Sequence, residues 1–564
     1  MSDTRLSPPR FTRLDLLLAG LVTLLAALVR VRALQLVPTL TDETDDMQYA
    51  LRIVQGGFWP AVSHNTYTGP LHHYVLAVGL WLGGAAPWPR WWSLILGALT
   101  VGLTYLLGVS LADQGPKTKD EGQTTKDRGR KTEDQGGRAG GAHRLLPSAY
   151  RLPSSVLRPP SSLVLAGLVA AALMAVSFEP VVVNSHIAWS NATTPFWTTL
   201  ALLVLSEAVR RDRPALLIAA GALAGLAVQT HPTAAIYLLG GALWLVVTRP
   251  SWLRVRWTWL AVLVALLAVS NLIGYNLVTG GGSVEQVARR DYAFTSGVTP
   301  GEYATNVRGF LGLAYQLVGS TFLSTLSAQA GPPALRSPLV VACALVALVG
   351  LGYAAWRRVS LPLLVWLTAL VLLPIANRAY DSHIAARYLA PLLPLTFAAV
   401  GVWLGPGLAS LVTPGRPWRD RWLGLAALVL TVALVVYPLR RLDEFYFYEL
   451  RDGRNNARVW QIAALVAEPA REGNPVLLDR GLRDARLDAG GHVYKALGTL
   501  LDLDRVPYSN PRVEELPNAP VGALLVLTDA RRDVLAPVLR LEAVNAEPAP
   551  AAPGGYWVYR VVAR

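Results

Sequence analysis

Apolar residues run through this chain in blocks of about 20, divided by short polar loops in which arginine recurs. A helix of that length rises about 30 Å, the thickness of a bilayer's hydrocarbon core, so each block reads as a spanning helix. The pattern predicts spans at roughly 14–34, 90–111, 162–179, 190–209, 214–230, 232–248, 257–279, 338–356, 360–376, 388–404 and 422–438. The expected fold is mainly α: a polytopic membrane protein of about 11 transmembrane helices. The first block is too long for a signal-peptide core and lacks a small-residue cleavage site, so it reads as a retained helix. Two further apolar stretches, 71–88 and 309–328, compete for the same status. Counting either alone would invert the side of every later arginine cluster. Both are therefore expected as interfacial helices in long external loops.

The arginines orient the bundle. Arg5, Arg10 and Arg13 precede the first span, and Arg210, Arg211 and Arg213 follow the fourth. Arg249, Arg254 and Arg256 follow the sixth, Arg357 and Arg358 the eighth, and Arg416, Arg419 and Arg421 the tenth. Positive charge stays on the cytoplasmic side, so these clusters predict a plasma (inner) membrane protein with its N-terminus in the cytoplasm and its C-terminus outside. Residues 113–161 carry a near-repeat (KTKDEG, TTKDRG, KTEDQG) and then a Pro/Ser-rich tract. With no apolar periodicity to bury, this reads as a disordered cytoplasmic insertion in a membrane domain spanning 1–440. After residue 440 the period changes. Short apolar runs at 475–479, 522–529 and 556–563 alternate with helical stretches at 457–468 and 493–503, which predicts a small extracytoplasmic α/β domain over 441–564.

Composition sharpens this picture. The chain has 564 residues, 53% hydrophobic and only 16% charged, against about 25% charged in soluble domains. The net charge of +14 would suit nucleic acid, but its arginines sit in loops between spans, so no nucleic-acid partner is expected. The single cysteine, Cys343, rules out an intramolecular disulfide.

The chemistry gathers after the first span, in LTDETDDMQYALRIVQGGFW (40–59). Asp42, Glu43, Asp45 and Asp46 stand there with nothing basic before Arg52. Thr41 or Asp42 can start a helix whose first turn favours acids. Four uncompensated carboxylates nevertheless repel one another, and structure or a ligand must offset that. His64, His72 and His73 lie close by in sequence and could hold a divalent metal with these acids, although their spacing matches no ligand motif.

TDETDDMQYALRIVQGGFW, then TGPLHHYVLAVGLWLGG, then PRWWSLILGALTVGLTYLLG resembles the opening of the GT-C membrane glycosyltransferases. Within them it is most similar to the branch of the protein O-mannosyltransferases and lipid A aminoarabinose transferases. Asp42 and Glu43 match the family's acidic pair, Gly57 and Trp59 its helix end, and Gly69-Pro70 its turn. The stretches at 221–239 and 386–404 look like later family segments. The resemblance implies a polyprenyl-phosphate-linked sugar as donor and inversion at the sugar carbon. The acceptor would be a glycan, a lipid or a protein, and membrane lipid surrounds the site.

An acceptor hydroxyl is a weak nucleophile, so a carboxylate must take its proton; Asp42 is the first choice, with Glu43 orienting it or the acceptor. Asp45 and Asp46 are alternatives should the helix register shift. The departing lipid phosphate needs positive charge, and this chain has Gly69 where some relatives carry a lysine. Candidates to replace it are Arg387 with Tyr388 and His383, then Arg290 and Arg308 in an external loop, and His231 before Pro232. Asn184, Ser185, His186, Ser190 and Asn191 could line the same cavity. The competing expectation, a polytopic transporter or lipid flippase, would call for ionisable groups at mid-membrane, and the spans are nearly free of them.

Overall fold

The computed structural model describes residues 11–37, 41–83, 88–114, 161–288, 298–320, 337–376, 386–450, 457–483, 493–545, 549–550 and 555–563. The chain opens with α1 (Arg13–Val31), capped by Thr12, whose hydroxyl accepts from the Asp15 amide while the Asp15 carboxylate accepts from Thr12. The acidic segment is the helix α2 (Thr41–Gln55), with Asp42 and Glu43 in its first turn, followed by the short α3 (Leu71–Trp81) and the long α4 (Trp88–Gln114).

The span expected at 162–179 is broken. It comprises α5 (Ser162–Val176) and α6 (Phe178–His186), bent by 63°. Pro180 has no N–H to give the carbonyl four residues back, so the helix cannot run through. Arg30 of α1 takes up two carbonyls near the break, donating to Ala175 O at 2.9 Å and Met174 O at 3.2 Å. This buried arginine is thus a structural cap.

Next come α7 (Thr194–Arg210), α8 (Leu216–Thr230), α9 (Ala234–Thr248), α10 (Arg256–Ala268) and α11 (Ser270–Thr279). The last two form a second bent pair, at 59°, where Gln229 Nε2 donates to the Ala268 carbonyl at 2.7 Å. Beyond them lie α12 (Gly282–Ala288), α13 (Pro300–Val318), α14 (Pro338–Trp356), α15 (Leu361–Ala376), α16 (Ala386–Leu389), α17 (Leu393–Val412) and α18 (Trp418–Glu444).

All eleven predicted spans fall on helix. Among the described residues, six helical segments are long and apolar enough to cross a membrane, eight if each bent pair is one span, and α8, α9 and α15 are shorter apolar helices. Of the two competing stretches, 71–88 contributes only the eleven-residue α3. The other, 309–328, contributes the second half of α13, and its residues from 321 on lie outside the described ones. The expected insertion also yields two residues to α4, since Asp113 is helical and paired with Arg210 at 2.8 Å; its residues 115–160 lie outside the described ones.

The middle of the bundle is α17, buried along most of its length and packed on α5. Contact is backbone to backbone: a Cβ added at Gly401 would lie 2.2 Å from the Ala166 carbonyl oxygen. Helices at the margin turn leucine and valine outward, as on α1 (Leu17 71% exposed) and α18 (Val429 61%), which suits a lipid environment and not water.

The C-terminal segment is α/β as expected. Helices α19 (Ala457–Arg471), α20 (Val493–Leu503) and α21 (Asp529–Leu535) accompany β1 (Val476–Leu478), β2 (Leu524–Thr528), β3 (Arg540–Ala543), β4 (Ala549–Pro550) and β5 (Gly555–Ala563). The sheet order is β1-β2-β5-β3, with β1 and β2 parallel, β5 antiparallel to its neighbours, and β4 paired to β5. Its packing brings α20 against α2, so the α/β unit meets the acidic helix.

Candidate active site

The four acids of α2 meet four different partners. Glu43 is fully buried and gripped by Arg90, from the first turn of α4: Nε donates to Oε1 at 2.8 Å and Nη2 to Oε2 at 2.9 Å. The same guanidinium closes the turn after α1 by donating to Leu34 O and Val37 O at 2.9 and 2.7 Å, and the Ala188 amide donates to Glu43 Oε1 at 2.9 Å. Glu43 therefore ties α2 to α4 and to the segment after α6. Every lone pair it uses is spent on scaffold.

Asp46 is buried too. Its Oδ1 lies 2.8 Å from His73 Nε2 and 3.3 Å from His64 Nδ1, its Oδ2 accepts from the Ser190 amide at 2.8 Å, and His72 Nε2 stands 4.0 Å away. Burial alone would push this carboxyl up, but the charge of His73 and contacts to His64 and His73 outweigh it and hold the group far below the usual carboxylate range. Asp45 pairs with Lys495 of α20 at 2.7 Å, and Gln48 donates to Thr499 at 3.2 Å.

Asp42 is left. Its side chain is 44% exposed, against 27% for Asp45, 2% for Asp46 and 0% for Glu43, and its near cation is Arg387, whose Nη1 is 3.8 Å from Oδ2. Arg387 is held by rings rather than by carboxylates: its guanidinium lies over Trp189 at 4.6 Å and Tyr388 at 5.0 Å, and Nη2 donates to the Tyr388 hydroxyl at 3.1 Å. Its Nε is buried with no hydrogen-bond partner. Aromatic faces fix the guanidinium plane while leaving donors unspent, which is how a protein keeps an arginine ready for an anion.

His231 joins this wall by stacking on Tyr388, with ring centroids 5.0 Å apart. Burial, and then the charge of Arg387, push its pKa down to about 3, so at neutral pH it is an uncharged ring that offers a hydrogen bond and no positive charge. Tyr237 reaches the same wall, donating its hydroxyl to the Tyr388 carbonyl.

Other expected residues stand elsewhere. Arg308 is exposed on α13, and among the described residues no hydrogen bond or ion pair joins it to this cluster. His383 and Arg290 lie outside the described residues. Asn184 donates to Ala192 O at 3.3 Å, Ser185 accepts from Arg30, and His186 meets the Val181 and Arg32 carbonyls, so these three serve the turn after α6 and not an open cavity. Asn191 Oδ1 accepts from Thr194 at 3.5 Å, and Ser190 acts through its amide on Asp46.

The glycine at 69 has a local reason. Its amide donates to Gln229 O at 2.8 Å, and an added Cβ would fall 1.3 Å from Gln229 Oε1. No lysine fits there without displacing Gln229, so a cation for phosphate has to come from another element. Sequence reasoning missed Arg90, Trp189 and Lys495. Arg90 could have been suspected, as a charge leading an apolar helix; the other two carried no local signal.

Comparison with known proteins agrees with this architecture. The family model for dolichyl-phosphate-mannose-protein mannosyltransferases matches residues 164–275, from α5 into α11, about a fifth of the chain. The crystal structure of ArnT from Cupriavidus metallidurans bound to undecaprenyl phosphate is similar over 98% of this chain and 98% of that one, with a TM-score of 0.52 and 15% identity. ArnT from the same organism in the apo state is similar over 97% of each chain, with a TM-score of 0.50 and 14% identity. No curated protein matches the chain by sequence. At such identities the structures speak for the fold, and the fold is that of the GT-C membrane glycosyltransferases. The family match and the fold lead to the same class of activity, glycosyl transfer.

Proposed function

Starting from a chain with the GT-C glycosyltransferase fold, we propose that it moves a sugar from a polyprenyl phosphate to an acceptor hydroxyl at the outer face of the membrane, with inversion. The observation that carries this reading is the pairing of Asp42 with Arg387. Among the four acids Asp42 is the most exposed and the least engaged, and it faces a guanidinium with an unspent buried donor. The undecaprenyl phosphate bound to ArnT, which is similar along the whole length, supports a lipid phosphate as donor here.

The step needs little machinery. Asp42 takes the proton of the acceptor hydroxyl as its oxygen attacks the anomeric carbon. The bond from that carbon to the phosphate oxygen breaks on the opposite face, and the electron pair leaves with the lipid phosphate. Arg387 receives the charge that develops on that oxygen, aided by the hydroxyl of Tyr388. His231 backs Tyr388 without adding charge. Glu43, Asp45 and Asp46 hold the helix that carries the base.

Two experiments test this. Mass spectrometry of glycans and lipids from cells producing the protein, or its Asp42→Asn variant, should show a transferred sugar that falls about 10²- to 10⁴-fold in the variant. An unchanged product from folded Asp42→Asn protein would exclude this base. For the side of the membrane, a Trp59→Cys substitution in a Cys343→Ser background should be labelled by an impermeant maleimide from outside, since Trp59 is 75% exposed and Cys343 is the sole thiol. Labelling from the cytosolic side alone would end the outer-face reading.

A further inference from the structure

Asp46 poses a charge problem that the transfer reaction does not use. It is buried, and among the described residues no arginine or lysine comes within ion-pair distance of it. Its neighbours are three imidazoles from two segments: His64 from the loop after α2, and His72 and His73 from the first turn of α3. A buried carboxylate requires a compensating positive charge, either a proton shared with these rings or a bound cation.

We propose that Asp46, His64 and His73 form a binding site for a transition-metal ion of the zinc class. One potential ligand atom from each residue lies within 4.8 Å of the others, with Asp46 and His73 buried and His64 half-buried. His64 Nδ1 stands 3.3 Å from Asp46 Oδ1, the separation of two ligand atoms that share one ion, so a cation can take the place of the proton between them. A tetrahedral ion with bonds of about 2.0–2.1 Å separates its ligand atoms by roughly 3.3 Å, so closing on a metal asks little of this trio.

Two imidazole nitrogens and one carboxylate oxygen suit zinc or cobalt, whereas magnesium and calcium prefer all-oxygen shells. A supporting contact is in place: the Ser190 amide donates to the second oxygen of Asp46 at 2.8 Å. Three protein ligands leave a fourth position for water. Bound there, the ion would pin α2, the 56–70 loop and α3 to one another, one helical turn from Asp42.

The test is direct metal binding by the full-length protein in detergent. After removal of metal with a chelator, cobalt(II) should bind at one equivalent per chain, give the intense visible bands of a four-coordinate site, and be displaced by zinc(II). His64→Ala and His73→Ala should each weaken cobalt binding by about 100-fold or more while Asp46→Asn, a near-isosteric change, abolishes the four-coordinate spectrum. His64 lies in a loop, so its variant remains informative where a change at His73 disturbs folding. Thermal unfolding should rise on adding zinc to the wild type and stay flat in the variants. No cobalt bound by folded wild-type protein, or binding as tight as the wild type's in His64→Ala and Asp46→Asn, would overturn the site and leave a proton-sharing cluster in its place. Neither readout depends on sugar transfer.

Discussion

Arg90 and Glu43, 47 residues apart, meet through two parallel hydrogen bonds with both side chains out of water. Removing either partner strands a buried charge, which costs about 3–5 kcal/mol, whereas removing both together costs much less. Glu43→Gln and Arg90→Met should each lower the unfolding temperature of detergent-solubilised protein markedly. The double variant should recover a large part of the loss. Additive losses would mean that the two side chains act separately.

Arg387 should matter through its shape as well as its charge. Arg387→Ala is expected to raise KM for the lipid-phosphate donor and lower kcat, by about 10²-fold or more in kcat/KM. Arg387→Lys keeps the charge but loses the planar fork stacked on Trp189 and Tyr388, and should recover only a minor part. Steady-state kinetics with a defined donor decides, and full activity in the lysine variant would argue against a forked phosphate contact.

His231 predicts an acid limb in stability. Its pKa is pushed down to about 3 in the folded chain, so between about pH 6.5 and 3 the unfolded chain takes up a proton that the folded one refuses. Stability then falls as pH falls across that window, by about 1.4 kcal/mol per unit from this group at full slope. His231→Gln should flatten that limb, as read from chemical unfolding at several pH values. A limb of the same steepness in the variant would assign it to other groups.

The α/β unit meets the acidic helix through Asp45–Lys495 and Gln48–Thr499. Because the ion pair is partly exposed, Lys495→Ala should cost no more than about 1 kcal/mol in global stability. Lys495→Glu sets like charges against each other, and should speed hydrogen exchange in α20 and α2 before the rest of the chain. Unchanged exchange there would mean that other contacts hold the unit in place.

Patterning along the chain determined much of this protein. Blocks of about 20 apolar residues can only be helices in lipid, where every backbone group needs an internal partner, and each expected block is helical. The alternating runs after residue 440 likewise announced their strands, because period two and period 3.6 bury different faces. The family resemblance, drawn from contiguous stretches, reached the fold. What the sequence left open was the assignment of the four acids. At helical spacing they look alike, and they are told apart by Arg90, Ser190, Arg387 and Lys495, which only the folded chain brings to them. The break at Ser177 and the exclusion of a side chain at Gly69 were decided the same way. Periodicity is a local property that a row of residues displays; a carboxylate's neighbours are a matter of distance, which is settled only when remote segments pack.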